Sequence, residues 1–160
     1  MIRSQLCYAS AAFFPALTAA LLNRLIGISK SGARGVFLLP VQTPTAPILA
    51  RLRLPPLLHV FKKKLLVFVY RCMGTLASSQ FSQFFTLIEP HDADPTRRVT
   101  RGQASRLLQV SFLRGPSGRS TLQFVGSVYW NTLPLPARNA ANLSSFKAHL
   151  NTDLLARLSV

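Results

Sequence analysis

Apolar residues recur at spacings of three and four along several stretches of the chain, and this periodicity predicts helices. The first stretch covers residues 16–28, the next residues 57–77, and a third residues 80–88. The stretch at 57–77 has the widest apolar face, so we expect it to form the central helix. The stretch at 80–88 is predicted to fold back on it as a second helix.

The end of the chain carries the clearest boundary signals. Trp130 and Asn131 precede Leu133-Pro134, a pattern that predicts a short helical turn that buries the indole and stops at the proline. Asn142 is predicted to be the N-cap of a final helix with apolar residues at helical spacing. We expect that helix to pack on the hexapeptide from Tyr129 to Pro134 just upstream, since Val125, Val128 and Tyr129 also repeat at helical spacing and would otherwise be exposed.

Between these stretches the helical pattern is interrupted. Residues 40–56 contain five prolines and predict a linker that holds only a short helix. Alternating apolar and polar residues on either side of a Gly-Pro-Ser-Gly turn favour a small β-hairpin around residues 107–125. The sequence therefore predicts a mainly α fold of four or five helices with a Pro-rich linker, this hairpin and some irregular segments.

The sequence also predicts that the chain has three parts. They are an apolar and basic helical segment at 1–39, the linker at 40–56, and a region at 57–160.

The charge balance narrows the choice of partners. The chain has 19 Lys and Arg against 4 Asp and Glu, which gives a formal net charge of +15. No carboxylate occurs in residues 1–88. Such an excess predicts a polyanionic partner, either nucleic acid or an anionic membrane. The predicted phosphate-binding residues are Lys62, Lys63, Lys64, Arg97, Arg98, Arg101, Arg106, Arg114 and Arg119.

Each of these features also has a purely structural interpretation. A run of lysines often covers the solvated side of a buried helix, and this alternative to binding stays open for Lys62, Lys63 and Lys64. For Trp130, a role as a core anchor is favoured over the stacking of a nucleic-acid base.

No arrangement of side chains indicates catalysis. Glu89, Asp92 and Asp94 lie in a Pro-bounded turn, and carboxylates placed there predict a solvated loop and not a two-metal site. Cys7 and Cys72 are far apart and have no His or Cys neighbour at the spacing of metal ligands. The sequence thus predicts no enzymatic activity, no metal and no cofactor.

The N-terminal segment allows a second interpretation. Residues 9–22 are apolar but contain Pro15 and are too short to span a bilayer, which takes about 20 residues. The acid-free N-terminus is also typical of a transit peptide. The alternative function is therefore a small basic protein targeted to mitochondria or to a membrane surface. An intracellular location, nuclear or cytoplasmic, is the main expectation.

Two ordered sets of residues carry a resemblance to a known family. The first set is Phe61-Lys62 through Val69-Tyr70-Arg71-Cys72 with Gly74. The second is Gly118-Arg119-Ser120, Gly126, Trp130-Asn131-Thr132-Leu133-Pro134, Arg138, Leu143 and Phe146-Lys147 through Leu150. In residue types and order, both resemble the C-terminal, post-catalytic region of animal non-LTR (LINE-type) retrotransposon reverse transcriptases. The resemblance assigns a structural role to Trp130, Asn131, Leu133, Pro134, Phe146 and Lys147.

The departures from this family matter equally. The chain contains no Tyr-x-Asp-Asp motif, and Arg53-Leu54-Pro55-Pro56 lacks the tryptophan that the family has before Leu-Pro. The resemblance therefore implies shared ancestry without polymerase or endonuclease activity. It implies a catalytically inert fragment that at most contacts RNA or DNA without sequence preference, or the remainder of a reverse transcriptase.

Overall fold

A computed structural model describes residues 7, 9–74, 79–88, 106–111 and 118–156. It divides the chain into two compact units, unit 1 at Met1–Lys64 and unit 2 at Leu65–Val160. The fold is mainly helical, as the sequence predicts. The α-helices of the described ranges are α1 Ser10–Phe13, α2 Ala19–Val36, α3 Thr45–Arg51, α4 Leu57–Met73, α5 Ser79–Ser82, α6 Leu122–Asn131, α7 Leu135–Arg138 and α8 Leu143–Ala156. Short 3₁₀ turns occupy Phe14–Ala16 and Gly118–Ser120.

The core of unit 1 forms around Phe61 in the first half of α4. The ring of Phe61 is fully buried and contacts the rings of Phe13 and Phe14, each with its centroid 5.7 Å away. The Nζ of Lys64 donates a hydrogen bond to the backbone carbonyl of Cys7. These contacts hold the N-terminal turns of unit 1 against α4.

Helix α2 is longer than the sequence predicts. It begins after Thr18, whose hydroxyl accepts a hydrogen bond from the backbone N–H of Leu21 at 3.3 Å, and it continues to Val36. The helix ends one residue after Gly35 and not at Gly27, because a glycine only lowers helix propensity, by about 1 kcal/mol, and does not remove a backbone donor.

The Pro-rich segment 40–56 contains the two-turn helix α3. Pro47 lies in its first turn, where the missing N–H has no partner to lose. The helix ends four residues before the Pro55-Pro56 pair, as the sequence predicts.

Unit 2 has one apolar core in which three aromatic rings stack. The ring of Phe146 lies between Tyr70, at a centroid distance of 4.4 Å, and Trp130, at 5.7 Å. Phe146 and Trp130 are fully buried. The remaining buried members of this core are Leu66, Val69, Cys72, Phe85, Leu108, Leu133, Ala137, Ala140 and Leu150.

The packing of α8 differs in part from the prediction. The backbone N–H of Ser145 donates to the Asn142 side chain at 2.8 Å, so the predicted N-cap is confirmed. However, Val128 is 38% exposed, and α8 packs through Phe146 on Tyr70 and Trp130. The large flat ring surfaces bury more apolar area against α8 than a valine can.

Two predicted elements were wrong. The helix at 80–88 is reduced to α5, and Leu87 instead forms an isolated antiparallel bridge with Leu108. The hairpin at 107–125 does not form, because Leu122 begins helix α6, where the Thr121 hydroxyl accepts a hydrogen bond from the N–H of Phe124 at 3.2 Å. Both segments are short, and tertiary pairing and capping decided their conformation against the local pattern.

Candidate nucleic-acid interface and the tryptophan–asparagine clamp

The Trp130-Asn131 pair lies at the C-terminal end of α6 and contacts the segment 106–111. The indole Nε1 of Trp130 donates to the backbone carbonyl of Arg106 at 3.0 Å. The indole is fully buried and has its one donor satisfied. The N–H edge of the indole bonds to Arg106 and one of its faces stacks on Phe146, both inside unit 2. The fully buried ring has no free face on which a nucleic-acid base could stack, so the prediction of Trp130 as a core anchor is confirmed.

Asn131 binds the same segment through both ends of its carboxamide. Its Oδ1 accepts from the N–H of Leu108 at 2.9 Å, and its Nδ2 donates to the carbonyl of Leu108 at 2.9 Å. On the opposite edge, the segment pairs with residues 86–88: Ile88 donates to Leu107 at 2.9 Å and Gln109 donates to Thr86 at 2.8 Å. We call the bonds from Trp130 and Asn131 to residues 106–108 the clamp. The clamp provides the hydrogen bonds that a second neighbouring strand would otherwise make to this edge of the segment.

The motif residues that follow Asn131 form the turn from α6 to α7. Leu133 is buried, and Pro134 is the N-cap of α7 with a φ of −65°. Arg138 donates from Nε to the carbonyl of Leu133 at 3.0 Å, which closes the turn. Lys147 lies exposed on α8, and Pro134 is also exposed.

The predicted phosphate-binding residues divide between the units. Lys62, Lys63 and Lys64 lie on α4 in unit 1, and only Lys64 of the three is exposed. Arg106 and Arg119 are exposed in unit 2, and Arg119 lies in the 3₁₀ turn before α6. Arg97, Arg98, Arg101 and Arg114 lie outside the described residues.

The structure adds exposed cations that sequence reasoning did not select. They are Arg24, Lys30, Arg51 and Arg53 in unit 1 and Arg71 and Lys147 in unit 2. Their sequence spacing is irregular, so no motif marks them. Only the solvent exposure of each side chain identifies them as available to a polyanion.

In the described part of the chain, burial shifts the pKa of one thiol and one imidazole. Burial raises the pKa of the Cys72 thiol to about 11, so a thiolate nucleophile is disfavoured at neutral pH. Burial, and secondarily the charge of Lys62, lowers the pKa of His59. Within the described ranges no three His, Cys, Asp or Glu side chains group as metal ligands.

An open groove of about 330 Å³ lies in unit 1. Its lining residues are Phe37, Leu39, Pro47, Ile48 and Arg51. The lining contains a single charged group and no side chain that could act as a nucleophile or a general base.

Comparisons with known proteins identify no relative. No protein-family model, no curated protein and no solved structure matches the chain. As for membranes, a search of the described helices finds none with the length and apolar character needed to cross a bilayer.

Proposed function

We propose that the chain is a catalytically inert relative of the C-terminal, post-catalytic region of animal non-LTR retrotransposon reverse transcriptases. In this proposal its remaining activity is contact with RNA or DNA without sequence preference. The observation that supports the nucleic-acid contact is the charge, because the chain has 19 Lys and Arg side chains and only 4 Asp and Glu side chains. Even if every carboxylate formed an ion pair, a net charge of +15 would remain uncompensated, and nucleic-acid phosphates would compensate it.

The position of the exposed cations also supports this proposal. In unit 2, Arg106 and Arg119 are exposed on segments that precede or contact α6. The clamp holds the backbone of Arg106 through the Trp130 indole, so this cation is presented from an ordered segment. A backbone that is already held loses little further conformational entropy when its side chain binds a phosphate.

The family part of the proposal is supported by the residues that carry the resemblance. Trp130, Leu133 and Phe146 are buried in the core of unit 2, and Asn131 forms the clamp. Gly126 packs closely against the ring of Phe85. A set of residues that a fold needs for its core can persist whether or not catalytic residues are retained.

Fluorescence anisotropy with labelled duplex DNA, single-stranded DNA and RNA tests the binding. We expect affinity to fall linearly with salt on a log–log plot, with a slope of about 0.9 per phosphate contact on duplex DNA and about 0.7 on single strands. Binding that changes strongly with base sequence, or no binding at low salt, would contradict the proposal.

Two matched double variants test the role of charge. Arg106→Gln with Arg119→Gln should weaken binding and lower the slope by up to about 0.9 per contact on duplex DNA. Arg106→Lys with Arg119→Lys keeps the charge and should bind as the wild type does.

A primer-extension assay on the wild-type chain should show no nucleotide incorporation, and template-dependent incorporation would disprove the inert assignment.

A further inference from the structure

An apolar loop follows helix α2 in unit 1. We define the apolar loop as residues 36–41. Leu38 is 93% exposed, Val41 78% and Val36 64%. Single exposed apolar residues are normal on protein surfaces, but several in one short loop indicate an interaction site.

The backbone of this loop is held in one arrangement. The N–H of Leu39 donates to the carbonyl of Arg34 at 3.1 Å, and the N–H of Leu38 donates to that of Gly35 at 3.3 Å. These bonds form a Schellman motif in which Leu38 has a φ of 52°, a conformation that favours glycine. A side-chain bond from Arg34 Nε to the Thr43 carbonyl at 2.9 Å closes the far side of the loop.

One arginine contacts the loop, and other cations are exposed elsewhere in unit 1. The Arg51 guanidinium lies 4.9 Å from the centroid of the Phe37 ring, and Arg53 is exposed just beyond α3. Arg24 and Lys30 are exposed on α2. Residues 1–88 contain no carboxylate. The loop is therefore an apolar tip on a unit that contains no carboxylate side chain.

Three kinds of partner could cover such a tip, and the charge distinguishes them. A second copy of this chain carries the same formal net charge of +15 and would be repelled. Duplex nucleic acid offers phosphates but no apolar surface that fits alkyl side chains at a loop tip. An anionic bilayer offers both, because its phosphates bind the cations and its acyl boundary accepts the leucine and valine side chains.

We propose that the apolar loop inserts into the interface of an anionic lipid bilayer, with Leu38 and Val41 at the acyl boundary and cations of unit 1 at the headgroups. This is peripheral attachment through a loop. It does not depend on the nucleic-acid contact proposed above.

Vesicle co-sedimentation of the full chain tests the proposal. The probes are vesicles of phosphatidylcholine alone and of phosphatidylcholine with about one third phosphatidylserine. Binding should require phosphatidylserine and should weaken as salt rises, because each cation near an anionic surface contributes about a fivefold gain in affinity.

The deciding variant is Leu38→Gly with Val41→Ser. Glycine suits the conformation at position 38, so the fold should be as stable as the wild type or more stable, whereas vesicle binding should fall about tenfold or more. The control is Val128→Ser with Leu135→Ser, which removes two exposed apolar side chains from unit 2 and should leave vesicle binding unchanged.

Two results would overturn the proposal. One is the absence of binding to phosphatidylserine vesicles. The other is equal binding of the wild type and the Leu38→Gly, Val41→Ser variant, which would assign the contact to charge alone. Binding of both proteins to duplex DNA, measured in parallel, should be equal if the loop contacts lipid and not nucleic acid.

Discussion

At the scale of single residues, Asn131 shows how one side chain can replace a strand. Its carboxamide satisfies both the N–H and the carbonyl of Leu108, a residue that is fully buried. A buried backbone group without a partner costs about 1–3 kcal/mol, so the two bonds decide whether the segment 106–111 can lie against α6. The sequence shows that Asn131 follows a core tryptophan, but it does not predict that Asn131 bonds to Leu108.

Replacement of Asn131 by alanine should destabilise unit 2 by about 2–4 kcal/mol, because both Leu108 groups lose their partners. Asn131→Asp should also destabilise it, since a carboxylate cannot donate to the Leu108 carbonyl. Urea unfolding followed by Trp130 fluorescence measures this, as the chain has one tryptophan and it lies in this core.

The matched control is Asn139→Ala, which changes an exposed asparagine after α7 and should shift the free energy of unfolding by less than about 0.5 kcal/mol. If Asn131→Ala unfolds at the same urea concentration as the control, the clamp contributes nothing to stability.

His59 provides a pH-dependent prediction in unit 1. Its pKa in the folded chain lies below the ordinary value of 6.5, first because of burial and second because of the positive charge of Lys62. The unfolded chain therefore binds more protons, and stability should fall as the pH drops from 6.5 toward the folded pKa. Thermal melts by circular dichroism should show this loss, and His59→Gln should reduce it.

A direct measurement is the NMR titration of the His59 imidazole. Lys62→Gln should raise its midpoint but leave it below 6.5, because burial is the larger cause. A midpoint at or above 6.5 in the wild-type protein would show that His59 is not desolvated.

At the scale of elements, helix glycines have opposite roles in α2 and α6. A Cβ placed on Gly27 of α2 would meet nothing within 4 Å. A Cβ placed on Gly126 of α6 would lie 2.8 Å from the Phe85 ring and 3.1 Å from the Val69 side chain. The glycine in α6 is thus required for close packing, whereas the one in α2 only lowers helix propensity.

The corresponding alanine variants should change stability in opposite directions. Gly27→Ala should stabilise by about 0.5–1 kcal/mol through helix propensity. Gly126→Ala should destabilise by about 1–2 kcal/mol, because overpacking against a buried ring exceeds that gain. Circular dichroism melts measure the first variant and Trp130 fluorescence the second. Stabilisation of both variants would mean that Phe85 can move away from α6 without cost.

At the scale of the whole molecule, the net charge of +15 opposes compaction. Like charges repel in the folded chain, and salt weakens that repulsion over a Debye length of about 10 Å at 0.1 M. The same salt weakens contact with phosphates. Stability and nucleic-acid binding should therefore respond to salt in opposite directions.

The melting temperature should rise as sodium chloride increases to about 0.2 M, while affinity for duplex DNA falls over the same range. Circular dichroism melts and anisotropy on the same samples compare the two trends. An equal concentration of sucrose, which does not screen charge, is the control. A melting temperature that stays flat with salt would show that the cations lie too far apart to repel each other measurably.

The sequence by itself determined the mainly helical fold, the burial of Trp130 and the cap at Asn142, because periodicity, capping and ring size are local properties. It also determined the excess of positive charge. Only the tertiary structure decided that Leu108 pairs with Leu87 and Asn131, and that the segment from Leu122 is helical. The pairings of Leu108 depend on partners distant along the chain, and the helix from Leu122 depends on its cap at Thr121 and on the burial of Gly126 and Trp130 in unit 2. A short alternating segment has too little local preference to resist them. The exposure of Leu38 was likewise decided by the fold, since hydropathy alone predicts burial for a leucine.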